Sequence, residues 1–330
     1  MFFRRFIIKP TLSTYLSERV WNMKNRTLLY RGHPYSTSSI ISWEKFLKLW
    51  QDYLVEKKRE KPLSALTVTD FNSLMNYCDE RGFRESTRAL VASLYKAALK
   101  DACSSGLAGR RLPGHLSEIH VPYREGTEAK KVWLRPEEIR ALAALPLETG
   151  NPLSKARDIF LMGCYTGQRF SDYRRLSLSD IVSFQFDGIE RRAFRKRQKK
   201  TGEEVYIPII YDEVIELLER WGGTLPSISN SLLNREIKTL CKMAGLEEPV
   251  KVSERIGGKE LSRTVPKYEL VASHTARRSF ITRLYLEGRL SEMQIRSISG
   301  HRSSHAFRRY ICCSTRDNLK GIFDALRDGP

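Results

Sequence analysis

Between Ser273 and Tyr310 the sequence gathers side chains that can hold an anion and move a proton: His274, Arg277, His301 and Tyr310. They are written as HTAR, then GH, then a tyrosine nine residues after that histidine, and three of the six histidines lie in this stretch. Residues three apart share a helix face, so His274 and Arg277 are expected side by side at a helix start. Free amides and the positive dipole end favour an anion there. A second arginine comes from far upstream, in CYTGQRFSDY: Gly167 permits a tight turn and Arg169 follows it, just before a short helix from Ser171. Asp172 either orients a neighbouring cation or caps that helix. Lys200 stands beside Lys199 at the turn Lys200-Thr201-Gly202, after a strand in which seven of the ten residues from Arg191 to Lys200 are basic.

Each of these residues alone has an ordinary reading as a packed or solvated side chain. Their joint spacing suits displacement at a phosphodiester. Charge builds on the non-bridging oxygens, and Arg169, Arg277 and His301 would stabilise it without a metal. Tyr310 is the candidate nucleophile, forming a covalent intermediate that splits one hard transfer into two. Tyrosine titrates near 10 in isolation, so the phenol needs a base or a positive pocket, and the departing 5′-oxygen needs a proton; His274 and Lys200 suit those tasks. A phosphotyrosyl bond keeps the energy of the broken linkage, so resealing to a second 5′-hydroxyl needs no nucleotide cofactor. Strand exchange is then expected rather than hydrolysis.

Three short helices must deliver these groups. Ser273 is the expected N-cap of the first, with Phe280, Ile281, Leu284 and Tyr285 at helical spacing until Gly288. Ser291 and Gln294 form a capping box for the second, which stops at Gly300 and presents His301. The third is expected from Ser303 or Ser304, carrying Phe307, Tyr310 and Ile311.

Upstream, 1–110 reads as a small helical domain. One face of its first helix has Leu16, Val20 and Met23, and the second helix has a stripe of Trp43, Phe46, Leu47, Trp50 and Leu54. A third helix is expected behind Thr69, from Asp70 to Tyr77, and a fourth from Ser86 to Cys103, with Leu90, Leu94, Tyr95 and Ala98 inward. The Gly-, Pro- and charge-rich residues 111–131 read as a linker. In 132–330, helices near 135–144 and 154–165 precede three antiparallel strands between Ile181 and Ile210, turning at Asp187-Gly188. Further helices are expected at 213–221 and 232–243, and a polar hairpin or loop at 250–270. The fold class is mainly α with a small antiparallel β-sheet.

With 57 Lys+Arg against 38 Asp+Glu, the formal charge of +19 points to a polyanionic partner, with nucleic acid ahead of a membrane surface. The six cysteines include no CxxC pair, which argues against a zinc module or a disulfide framework and fits reduced thiols. MFFRRFIIKP is too short and too charged for a signal-peptide core or a membrane span. No Walker loop, HExxH, two-carboxylate metal constellation or repeat is present, so neither metal nor cofactor is expected.

TGQRFSD, KKTGEEVYIPI, SHTARRSF, ISGH and Tyr310, in that order, resemble the signature of the tyrosine recombinase/integrase family. The wording PKYEL…SHTARRSF and ISGH…FRRYI is most similar to integrases of Bacteroides-type mobile elements. The resemblance implies an α+β catalytic domain over 132–330 behind a helical core-binding domain. It implies Arg169 and Arg277 as phosphate clamps, Lys200 as the hairpin-tip acid and His274 as acid/base partner. It further implies His301 at the second histidine position and Tyr310 as nucleophile. Also implied are cleavage and rejoining of double-stranded DNA at specific sites through a 3′-phosphotyrosyl intermediate, serving integration, excision or inversion of a mobile element. Four protomers are expected around two DNA duplexes, with accessory DNA-bending proteins, in the bacterial cytoplasm with the nucleoid. The tail, with Leu319, Ile322, Phe323 and Leu326 at helical spacing, would be a plug for a neighbour or a helix on its own domain. Little precedes the first helix, so a separate arm-DNA-binding domain is expected to be missing or reduced. Two alternatives stay open: a type IB topoisomerase-like swivel and a non-catalytic DNA-binding protein of the same fold.

Overall fold

The computed structural model describes residues 10–57, 60–107, 116–120, 131–197, 202, 204–313, 319 and 323. The chain divides into two compact units, one of residues 1–129 with 253–263 and the other of residues 130–252 with 264–330. The described part is mostly helical, with small antiparallel sheets.

The first unit packs α1 (Leu12–Lys24), α2 (Thr37–Lys57), α3 (Val68–Glu80) and α4 (Glu85–Ser104) around one aromatic-rich core. A two-residue ribbon, β1 (Leu29–Tyr30) with β2 (His33–Pro34), joins α1 to α2. Trp43, Phe46, Trp50 and Tyr53 of α2 are buried, so the expected stripe holds, with Leu47 and Leu54 at its half-buried margins. Two expectations shift. The cap of α3 is Thr67 rather than Thr69, because Asp70 at the third helical position accepts from both the Thr67 amide and its hydroxyl. Leu90 is 47% exposed, because Val91, Ala92 and Tyr95 turn the buried face of α4 by about one residue.

In the second unit, α5 (Pro136–Ala143) leads to α6 (Pro152–Thr166), nearly every residue of which is buried. After the single turn α7 (Phe170–Tyr173) come β3 (Ile181–Phe186), β4 (Ile189–Arg197) and β5 (Glu204–Pro208). They pair antiparallel in chain order; Ile181 faces Phe194, and Phe194 faces Ile207. Asp187 and Gly188 take φ of 50° and 76°, the left-handed pair that a two-residue hairpin needs. Helices α8 (Glu213–Arg220) and α9 (Asn230–Met243) follow, then the ribbon β6 (Pro249–Ile256) with β7 (Lys259–Pro266), whose residues 253–263 are counted with the first unit. The chain ends in α10 (Ser273–Glu287), α11 (Glu292–Ser299) and α12 (Ser304–Arg308). Helix α10 packs on α6, and α11 packs on β5. Tyr285 is exposed, because the inward face of α10 runs through Ala276, Phe280, Ile281 and Leu284.

The linker residues 121–130 and most of the tail lie outside the described residues; of the tail's apolar set, Leu319 and Phe323 are helical and exposed. Among the described residues no helix is long and apolar enough to cross a membrane.

Candidate active site

Helix α6 ends at Gly167 with φ of 65°. A side chain there would be doubly unfavourable: the left-handed conformation strains L residues, and a Cβ would lie 2.2 Å from Cδ1 of Phe280. The close approach of this turn to α10 lets the Gly167 carbonyl accept from Nη1 of Arg277 at 3.0 Å. Gln168, fully buried, donates its amide to the carbonyls of Thr166 and Ile298, at 3.1 and 2.8 Å, and so ties the turn to α11. Arg169 is next, extended at the head of α7 and half-buried, and three residues on Asp172 is 3% exposed. Burial favours the cation-orienting reading of Asp172 over the capping one, and its charge supports the protonated form of Arg277.

Helix α10 starts one residue earlier than expected. Ala272 occupies the cap position, its amide donating to the Thr275 hydroxyl at 3.0 Å, while the Ser273 amide donates to Oδ1 of Asn234 at 2.8 Å. Ser273 is therefore the first helical residue rather than the cap, and a side chain on a neighbouring helix satisfies its otherwise orphaned amide. His274 is exposed on the first turn, and Arg277 one turn further is wholly buried.

Helix α11 has the expected Ser291/Gln294 capping box and stops at Gly300, with φ of 66°, which delivers His301 into the interior. The imidazole is bracketed. Nη2 of Arg277 lies 2.9 Å from Nε2, and the Ser299 hydroxyl lies 2.8 Å from Nδ1. Ser299 spends its proton on the carbonyl of Ile295 at 2.7 Å, so it accepts from Nδ1–H and leaves Nε2 as acceptor for Arg277. Tyr310 was expected on the third helix but stands two residues beyond it, half-buried, its amide donating to the Phe307 carbonyl at 2.8 Å. Its ring centroid is 4.8 Å from that of His301 and 6.2 Å from that of His274, and the Arg277 guanidinium carbon is 5.2 Å from the ring centre.

The electrostatics of this cluster are one-sided. Burial, then the charge of Arg169, pushes Arg277 down to about 9, with Tyr310 and Asp172 opposing. Burial, then the charges of Arg277, Arg169 and Arg296, pushes His301 down to about 3, so its imidazole is neutral at physiological pH. Two guanidinium groups, Arg277 buried and Arg169 half-buried, thus act on one locus together with the buried carboxylate of Asp172. A phosphodiester entering there would relieve the excess charge.

Five of the six residues singled out from sequence are described and converge here; Lys200, with Lys199, lies outside the described residues. Three side chains that build the site were given no role by the sequence reading: Gln168, inside TGQRFSD; Ser299, inside ISGH; and Thr282, which lies outside every quoted motif. Among the described residues no group of three or more His, Cys, Asp or Glu is arranged to hold a metal ion.

The model of the phage integrase family matches residues 132–315, more than half of the chain. No curated protein matches the sequence. Among solved structures, the XerH site-specific recombinase bound to a palindromic difH substrate superposes with a TM-score of 0.65 at 12% identity, covering 97% of this chain and 98% of that one. The Tn1549 transposon integrase in complex with transposon right-end DNA gives 0.63 at 16% identity, covering 96% and 99%. A lambda integrase tetramer bound to a Holliday junction gives 0.60 at 20% identity, covering 89% of this chain and 78% of that one.

Proposed function

This chain belongs to the phage integrase family, and from that premise we propose that it is a tyrosine site-specific DNA recombinase whose nucleophile is Tyr310. The observation that carries the assignment is the seating of the Tyr310 ring 4.8 Å from His301 and 5.2 Å from the Arg277 guanidinium, in a pocket short of negative charge.

Tyr310 Oη attacks the phosphorus of a DNA phosphodiester. The new bond is a 3′-phosphotyrosyl ester, the bond to the 5′-oxygen breaks, and that oxygen leaves with a proton. Arg169 and Arg277 take the charge that grows on the non-bridging oxygens, a role for which buried, preorganised donors are far more effective than solvent. Arg277 arrives already oriented by the Gly167 carbonyl and His301. His301, neutral in the free protein, contributes hydrogen bonding rather than acid catalysis. His274, exposed beside the phenol, exchanges the tyrosyl proton with solvent, and Lys200 supplies the proton to the 5′-oxygen. Reversal by a 5′-hydroxyl of a second duplex completes exchange with no cofactor.

The physiological arrangement in this reading is a homotetramer on two duplexes at specific sites, assisted by DNA-bending proteins. It serves a mobile element in the bacterial cytoplasm and its nucleoid, with 1–110 as core-binding domain, 111–131 as linker and 132–330 as catalytic domain. The +19 charge supports a DNA partner, and among the similar structures the lambda integrase is a tetramer bound to a Holliday junction and the Tn1549 integrase is in complex with transposon right-end DNA.

The test uses a duplex recovered by binding selection from a random library, nicked just 3′ of the cleavage position so that the short fragment carrying the freed 5′-hydroxyl escapes. Wild type should give a covalent band on a denaturing gel and Tyr310→Phe none, with equal DNA affinity. Tight binding without an adduct from the wild type would make this a non-catalytic DNA-binding protein.

A further inference from the structure

Thr282 lies in the middle of α10, fully buried, and no motif singles it out. Buried helical hydroxyls usually turn back to the carbonyl four residues earlier, and three near the site do so: Thr166 to Met162, Ser279 to Thr275 and Ser299 to Ile295. Thr282 does otherwise. Its Oγ1 donates to the Tyr310 carbonyl at 3.2 Å and accepts from the Cys312 amide at 3.1 Å. One hydroxyl, with its single proton and a lone pair both used, therefore grips the backbone on both sides of Ile311.

The grip adds to the packing of Tyr310 and Ile311 against the core. Helix α12 has ended at Arg308, and local backbone bonds run from the Tyr310 and Ile311 amides back to Phe307 and Arg308. Those bonds fix the segment to its own short helix. Thr282 fixes it to α10, the helix that carries His274 and Arg277.

We propose that Thr282 is a positioning residue for the nucleophile: its hydroxyl sets the phenol of Tyr310 at attacking distance from a phosphodiester held by the α10 arginine. The proposal rests on reading Tyr310 as the nucleophile. Thr282 touches neither DNA nor the reacting atoms, and its contribution is to orientation, where displacement by about 1 Å can cost on the order of a hundredfold in rate.

The experiment compares wild type, Thr282→Val, Thr282→Ala and Thr282→Ser on two nicked duplexes of the same selected sequence. One has an ordinary phosphodiester at the cleavage position and the other a 5′-bridging phosphorothioate. On the second, the bond from Tyr310 Oη to phosphorus forms and the phosphorus–sulfur bond breaks, releasing a thiolate that needs no proton. A defect in proton delivery is therefore erased on that substrate, and a defect in nucleophile placement persists. Thr282→Val is expected to slow adduct formation by roughly tenfold to a hundredfold on both substrates, with wild-type DNA affinity and a melting temperature lowered only by the loss of these two hydrogen bonds, and Thr282→Ser to restore most of the rate. Thr282→Ala, which adds no crowding, should be equally slow and serves if the valine variant does not fold.

Wild-type rates from the valine or alanine variant would overturn the proposal. So would a slow rate that recovers on the phosphorothioate, or a serine variant as slow as valine. No adduct from the wild type on either duplex would instead remove the nucleophile assignment itself, a result separate from these.

Discussion

Each unit buries an arginine among aromatic side chains, and the two are held in opposite ways. In the first, Arg19 lies 4.4 Å from the Trp43 ring centre and donates to Asp101 at 2.6 Å and to the hydroxyls of Tyr15 and Tyr35. Its charge is matched by a carboxylate within reach. In the second, Arg277 meets a carbonyl, a neutral imidazole and the field of Arg169, with Asp172 the acidic group that favours its charge. The first is an internal tie. The second, in the reading proposed above, keeps a charge ready for an anion from outside, so that the same side-chain type would serve stability in one unit and chemistry in the other.

The sharpest way to break that contrast is Arg277→Met. Strand cleavage should fall by on the order of a hundredfold or more, as when a transition-state donor is lost. DNA binding and folding stability should largely persist, because replacing an unbalanced buried charge by an apolar chain is often neutral. Cleavage kinetics, filter binding and denaturant unfolding together decide it; equal losses of binding and cleavage would erase the division of labour.

Gly167→Ala reaches the same arginine through its carbonyl partner. Left-handed strain and the clash with Phe280 should cost about 2–4 kcal/mol of stability in urea unfolding, with cleavage slowed in the variant that still folds. Arg19→Met should show the converse of Arg277→Met, a loss of about 1–2 kcal/mol from the broken tie to Asp101, with cleavage per folded molecule unchanged.

A separate test concerns His301, whose folded-state value near 3 lies below its ordinary 6.5. As pH falls below 6.5 the unfolded chain takes up this proton before the folded one, so the wild type loses stability through that window. His301→Gln should flatten the decline between about pH 6 and 4 in thermal melts. Parallel curves would mean that the imidazole already carries its charge in the folded protein.

Much of the local structure could be read without coordinates, because its causes are local. Gly167, Gly288 and Gly300 end helices in the left-handed conformation where the spacing of the apolar residues runs out. Ser291 and Gln294 cap α11, and Asp187-Gly188 turns the basic hairpin. The family signature brought Arg169, His274, Arg277, His301 and Tyr310 to attention by order and spacing alone. Where the reading slipped, a distant partner was the reason. Ser273 lost the cap because Asn234, on another helix, takes its amide, and Leu90 and Tyr285 turned outward because neighbouring positions fitted the cores better.

Residue order and chain chemistry thus determined which groups are the candidates to meet a phosphodiester and which short elements carry them. The tertiary structure alone decided what state those groups are in. Burial and the convergence of two arginines keep His301 neutral and Arg277 short of an anion. Thr282 and Gln168 act through hydrogen bonds to residues 28 and 130 positions away in the chain. Charge state and orientation depend on dielectric surroundings and on long-range contacts, and neither is a property of a residue or of its neighbours in sequence.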